Sequence, residues 1–162
     1  MSESKTYTEL VDHIHPFLST LDYSKTSVKL GATTVACVVS AALFFLTHFV
    51  STLTCSLYRG FRLKEKVFWN LSLVRACFGV FGIVVGVWAI FWDTALEEDI
   101  SRATTPTSHL ALCITTGFFV FEVAALTLSD IYFHTFNRLL QLHHWISVIG
   151  FSIGEVSIFF LR

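Results

Sequence analysis

Two adjacent histidines, His143 and His144, stand near the start of an apolar run that ends in a carboxylate, Glu155. The only positive charge close by is Arg138. At about 100° per residue, His144 and Glu155 fall about 20° apart on one helical face, with Ser147, Val148 and Phe151 near them. His143 looks along the neighbouring stripe over Ser147, Gly150 and Gly154. The helix so predicted carries a seam of polar and small residues on an apolar surface. One imidazole of such a pair can face a cavity while the other is held by hydrogen bonds, because adjacent residues point about 100° apart. A neutral imidazole at a membrane surface suits a general base or nucleophile for acyl transfer. Its rival is polar glue between helices. A metal centre is not expected. Membrane desaturases and hydroxylases repeat His-x-x-His-His boxes, whereas Leu140 stands where the extra histidine would be, and His109 and His134 are not at ligand spacing.

The elements that must position this pair follow from composition. The chain has 162 residues, 54% hydrophobic and 14% charged, with a mean hydropathy of +0.66. So much apolar surface exceeds what the interior of a soluble domain can hide. Four runs, Leu30 to Leu53, Val67 to Trp92, Leu110 to Tyr132 and Leu139 to Leu161, each reach the roughly 20 residues needed to cross a ~30 Å hydrocarbon core. Runs of that length must satisfy their own backbone hydrogen bonds, so the predicted fold is all-α, a multi-pass transmembrane helical bundle. Residues 1–29 form a polar amino-terminal segment and 30–162 the transmembrane domain. No basic start followed at once by an apolar stretch marks a signal peptide, so the first run is expected to act as an uncleaved anchor.

Loop charges predict orientation. Arg59, Arg62, Lys64 and Lys66 lie between the first two runs, while Asp93, Glu97, Glu98 and Asp99 outnumber Arg102 in the next connection. The positive-inside tendency puts the first loop in the cytosol and the second in the lumen, although Lys25 and Lys29 count the other way. The histidine pair then lies near the cytosolic surface. Cys37, Cys55, Cys77 and Cys113 fall in or at the ends of apolar runs and read as small packing residues. Asn70-Leu71-Ser72 matches a glycosylation pattern, but within a helix no transferase reaches it.

Intramembrane charges cost ~2.5–3.5 kcal/mol on insertion scales unless paired or wet. Arg75 shares a face with Gly79, Gly82 and Gly86, a stripe where another helix could approach closely. Glu122 shares one with Thr115, Phe118, Ala125 and Ser129. Their opposite charges at compatible depths predict an intramembrane ion pair, which either fixes helix register or positions a lipid headgroup or phosphate.

The strings Leu21-Asp22-Tyr23, Glu65-Lys66-Val67-Phe68-Trp69, Arg75-Ala76, Thr116-Gly117-Phe118-Phe119, Phe121-Glu122, Phe133-His134-Thr135-Phe136 and His143-His144, in this order, resemble the TLC family. That family includes the ceramide synthases and the translocating-chain-associating proteins. The resemblance runs from about Leu21 to Gly150 and implies a bundle of some six helices around a cavity open to the cytosol. In acyl-CoA-dependent members a histidine pair at this position is catalytic, and His143 and His144 match it, while Arg75 and Glu122 match the family's intramembrane charges. It further implies a multi-pass endoplasmic-reticulum membrane protein, extending to the ER–Golgi intermediate compartment, that acts in transport of lysosomal enzymes from the endoplasmic reticulum to the Golgi and in lipid homeostasis. The alternative it implies is an acyltransferase with acyl-CoA as co-substrate and no bound cofactor. Expected partners are membrane lipids, lysosomal enzyme cargo and ER–Golgi trafficking proteins, and no nucleic acid. Trp145-Ile146-Ser147-Val148 is followed by small and apolar residues rather than the acid-rich motif of ceramide synthases, which weakens that reaction in particular. The family continues through further helices beyond the position of Arg162, so a partial TLC domain is expected, lacking a dilysine-type retrieval signal.

Overall fold

The structure, a computed structural model, describes residues 21–91 and 105–160, with side chains through residue 154. The amino-terminal segment before Leu21 and the acidic connection around Glu97 lie outside the described residues. Among the described residues five helices follow in order: α1 (Thr26–Thr54), the short α2 (Ser56–Gly60), α3 (Leu63–Phe91), α4 (Pro106–Phe133) and α5 (Arg138–Phe160). Among the described residues, α1, α3 and α4 are long and apolar enough to cross a bilayer. The chain is an all-α membrane bundle.

Helices α1, α3 and α4 each begin about one turn before the apolar run that predicts them, because polar residues build their first turns. Thr105 and Ser108 cap α4 reciprocally: Ser108 N–H donates to Thr105 Oγ1 at 3.1 Å and Thr105 N–H to Ser108 Oγ at 3.0 Å, with Pro106 in the first turn. At α3, Arg62 N–H donates to Glu65 Oε2 at 2.7 Å. The turn before α1 is organised by Asp22, which accepts from Ser24 N–H at 3.1 Å. The Ser24 hydrogen bonds hold the Asp22 carboxyl below its usual range. Helix α4 ends at His134, whose left-handed φ of 52° releases the chain. Asn137 Oδ1 then accepts from Leu140 N–H at 3.2 Å to start α5.

Helix α4 is the axis of the molecule, packing against α1, α3 and α5. Its tightest contact is at Gly117. A Cβ there would meet the Thr33 carbonyl oxygen, Ala36 Cβ at 2.7 Å and Cys37 N at 3.0 Å, so only glycine admits the α1 backbone. The expected approach along Gly79, Gly82 and Gly86 is corrected by the structure, since none of these has a neighbour within 4 Å. That stripe turns away from the described helices, and α3 instead meets α4 through Leu71, Val74 and Phe78, with the Phe78 and Phe118 rings stacked at 4.0 Å between centroids.

Exposure follows bilayer logic. Phe45, Ile83, Ile90 and Phe91 point outward at 68–72% exposure, while Glu122, Asn70 and Gln141 are buried. Hydroxyls on the spans bond back to their own helices, as Ser40 does to the Ala36 carbonyl at 2.9 Å and Ser72 to that of Phe68 at 2.8 Å. Each hydroxyl is thereby satisfied without a partner helix.

Candidate functional site: a carboxylate between an arginine and a histidine

Glu122 sits mid-way along α4 with only 1% of its surface exposed. Its Oε1 accepts from Arg75 Nε of α3, and its Oε2 lies 3.3 Å from His144 Nδ1 of α5. The second contact is at ion-pair distance but off the hydrogen-bond direction, so Nδ1 is left without a hydrogen-bond partner, as is Arg75 Nη2. One carboxylate therefore ties three helices together. Arg75 already balances its charge, so a neutral His144 leaves the cluster uncharged, the arrangement least costly in hydrocarbon.

His144 is buried and packs at 5.9 Å from the Phe119 ring, which stacks in turn on Phe151 at 5.3 Å. His143 is exposed, its ring centroid 5.2 Å from that of His144. The two imidazoles thus divide as adjacent helical positions must, one inward and one outward. Ser147 does not join them through its side chain: its hydroxyl donates to the His143 carbonyl at 2.9 Å. The Glu155 side chain lies outside the described residues. Among the described residues no three His, Cys, Asp or Glu side chains gather as a metal site.

Two supporting networks escape a reading by hydrophobic runs. Gln141, one turn before His144, donates through Nε2 to Asp130 Oδ2 at 3.0 Å and accepts from Thr127 Oγ1 at 3.3 Å. This double tie to α4 fixes the rotation of α5 and so aims His144; the signal was the three-residue spacing from Gln141 to His144. Farther along, Tyr58 is fully buried, donating to Asn70 Oδ1 at 3.0 Å with its oxygen 2.7 Å from His48 Nδ1, while Trp69 Nε1 donates to Ser51 Oγ at 3.2 Å. Asn70, met in the sequence as an unusable glycosylation pattern, is a core hydrogen-bond acceptor. At the opposite end of α4, Tyr23 stacks on His109 with centroids 5.6 Å apart.

No protein-family model matches the chain, and no solved structure does either. Curated proteins do. The chain is 35% identical over 136 residues to protein CLN8 of Canis lupus familiaris, covering 84% of this chain and 47% of the relative. To CLN8 of Mus musculus it is 34% identical over 138 residues, 85% of this chain and 48% of the relative. To CLN8 of Homo sapiens it is 34% identical over 131 residues, 81% and 46%. The chain spans about half the length of the curated relatives it matches. Within the TLC family, its motif strings resemble those of the neuronal ceroid lipofuscinosis protein eight, whose name these relatives carry. With its long apolar helices, the chain belongs to the CLN8 family of membrane proteins.

Proposed function

We propose that this chain works in the endoplasmic-reticulum membrane in lipid homeostasis, and that His143 and His144 transfer an acyl group from acyl-CoA to a hydroxyl of a glycerol- or sphingoid-type lipid. The observation that carries this reading is the placement of His144, buried with Nδ1 beside the Glu122 carboxylate. A carboxylate 3.3 Å from one ring nitrogen stabilises the cation formed when the other takes a proton. The acceptor hydroxyl gives its proton to that nitrogen, and its oxygen attacks the thioester carbonyl. The tetrahedral intermediate collapses, the ester forms as the C–S bond breaks, and the imidazolium returns its proton to the departing CoA thiolate. Exposed His143 stands beside this path, and Arg75 pairs with the other oxygen of the Glu122 carboxylate.

A second reading is supported by the resemblance, in which the ceroid lipofuscinosis relative looks like a receptor that escorts lysosomal enzymes toward the Golgi; there the cluster would serve as polar glue. One experiment separates the two. His143→Gln and His144→Gln are introduced into this chain and into a full-length CLN8 relative, with lipid products followed by mass spectrometry and lysosomal enzyme delivery followed in the same cells. Acyl transfer predicts loss of lipid product with protein level and location intact. An unchanged lipid profile with unchanged abundance would overturn it.

A further inference from the structure

At the end of the bundle where α3 and α5 begin and α4 finishes, a cleft of 480 Å³ opens between Lys64 and Phe68 of α3, Leu126 and Asp130 of α4, and Arg138 and Leu140 of α5. It differs from the two other large grooves. Those, of 370 and 540 Å³, are lined almost wholly by apolar side chains such as Val39 and Phe81, or Phe45 and Leu128, and suit lipid tails. Here two cations converge from different helices, and neither Lys64 nor Arg138 has an ion-pair partner within 4 Å among the described residues. The one acid in the wall, Asp130, is engaged by Gln141 Nε2 at 3.0 Å. The lining thus carries one net positive charge, which suits the anionic head of a phosphate ester.

The floor of the cleft is Phe68, Leu126 and Leu140. On their own helices these stand seven residues from Arg75, four from Glu122 and four from His144, or roughly 10, 6 and 6 Å at the helical rise. The apolar lining of the cleft thus lies one to two helical turns from the Arg75–Glu122–His144 cluster.

We propose that this cleft holds a phosphate ester, with Lys64 and Arg138 as its cationic arms and the Phe68–Leu126–Leu140 floor receiving the adjoining apolar part. The site holds a ligand whether or not His144 transfers a proton, so its test reads binding alone. The full chain in maltoside micelles, which contain no phosphate, is labelled with a photoreactive phosphatidic acid or with the matching diacylglycerol, and the labelled residues are mapped by mass spectrometry. Phosphatidic acid labels the cleft about tenfold more than diacylglycerol, and Lys64→Gln with Arg138→Gln removes that preference, as expected when two charge-assisted contacts are lost. Lys64→Arg with Arg138→Lys restores it. In the unaltered chain, raising sodium chloride from about 50 to 500 mM weakens phosphatidic acid labelling alone, through screening at the exposed cations. Competition by millimolar inorganic phosphate assigns the site to a soluble phosphate, and insensitivity to it assigns the site to a lipid headgroup. Equal labelling by the two lipids, salt-insensitive labelling, or labelling unchanged in folded Lys64→Gln/Arg138→Gln protein overturns the proposal.

Discussion

Removing either partner of the Arg75–Glu122 pair tests whether the bundle rests on this contact. The Glu122 side chain is 2% exposed and that of Arg75 is 35% exposed, so the two losses are not equivalent. Arg75→Ala strands a buried carboxylate, which costs ~3–5 kcal/mol in a dry site. Glu122→Ala leaves an arginine that already reaches the surface and can relax outward, so the cost falls to roughly 2–3 kcal/mol, near the intramembrane insertion range. Removing both leaves no uncompensated charge. The double variant is then less harmful than the sum by ~1–3 kcal/mol, the range of coupling between residues in contact. The assay is reversible unfolding in mixed micelles, with all four proteins at one lipid composition. Costs that add to within ~0.5 kcal/mol would show that the pair does not act as a unit. A Glu122→Ala loss larger than that of Arg75→Ala would refute the burial argument that ranks them.

Gly117→Ala forces a Cβ against Ala36 Cβ at 2.7 Å and the Thr33 carbonyl; it should cost ~1–3 kcal/mol by overpacking, while Gly79→Ala and Gly82→Ala stay within about 0.5 kcal/mol, as read by the same unfolding curves. Tyr58→Phe removes the donor to Asn70 and the contact to His48, and thermal denaturation should register a loss of ~1–3 kcal/mol for the buried groups left behind. Gln141→Leu frees α5 from Asp130 and Thr127; crosslinking between cysteines placed on α4 and α5 should broaden in register, and an unchanged pattern would show that packing alone sets the rotation. Epitopes in 59–66 should be reached after selective permeabilisation of the plasma membrane and those in 96–107 should not, the reverse pattern placing the histidine pair in the lumen.

What the sequence makes legible is what the bilayer dictates. Apolar runs near 20 residues announce helices, and the few charges inside them stand out because hydrocarbon tolerates so few. That is why Arg75, Glu122 and His144 could be singled out before any geometry was known. Helix rotation is another matter. Within an almost uniformly apolar helix, the face that meets a neighbour is set by where small residues permit backbone approach, and several stripes qualify equally. The Gly79–Gly82–Gly86 stripe and Gly117 are indistinguishable by composition; only the position of α1, with Ala36 and Ser40 presented to α4, decides for Gly117.

The same limit applies to partners of polar groups. Ser147 follows His143 by one turn, a spacing that fits a functional seam and a hydroxyl bonding to its own helix equally well, and the structure shows the second. Gln141 lies one turn on the other side of His144 and is the residue that reaches across to α4. A serine can satisfy itself within its helix, whereas a buried amide with two donors and an acceptor cannot. In a membrane helix a buried Asn or Gln is therefore a stronger pointer to an interhelical contact than a Ser or Thr. Asn70, accepting from Tyr58 across α2 and α3, obeys the same rule as Gln141, which bridges α5 to Asp130 and Thr127 of α4.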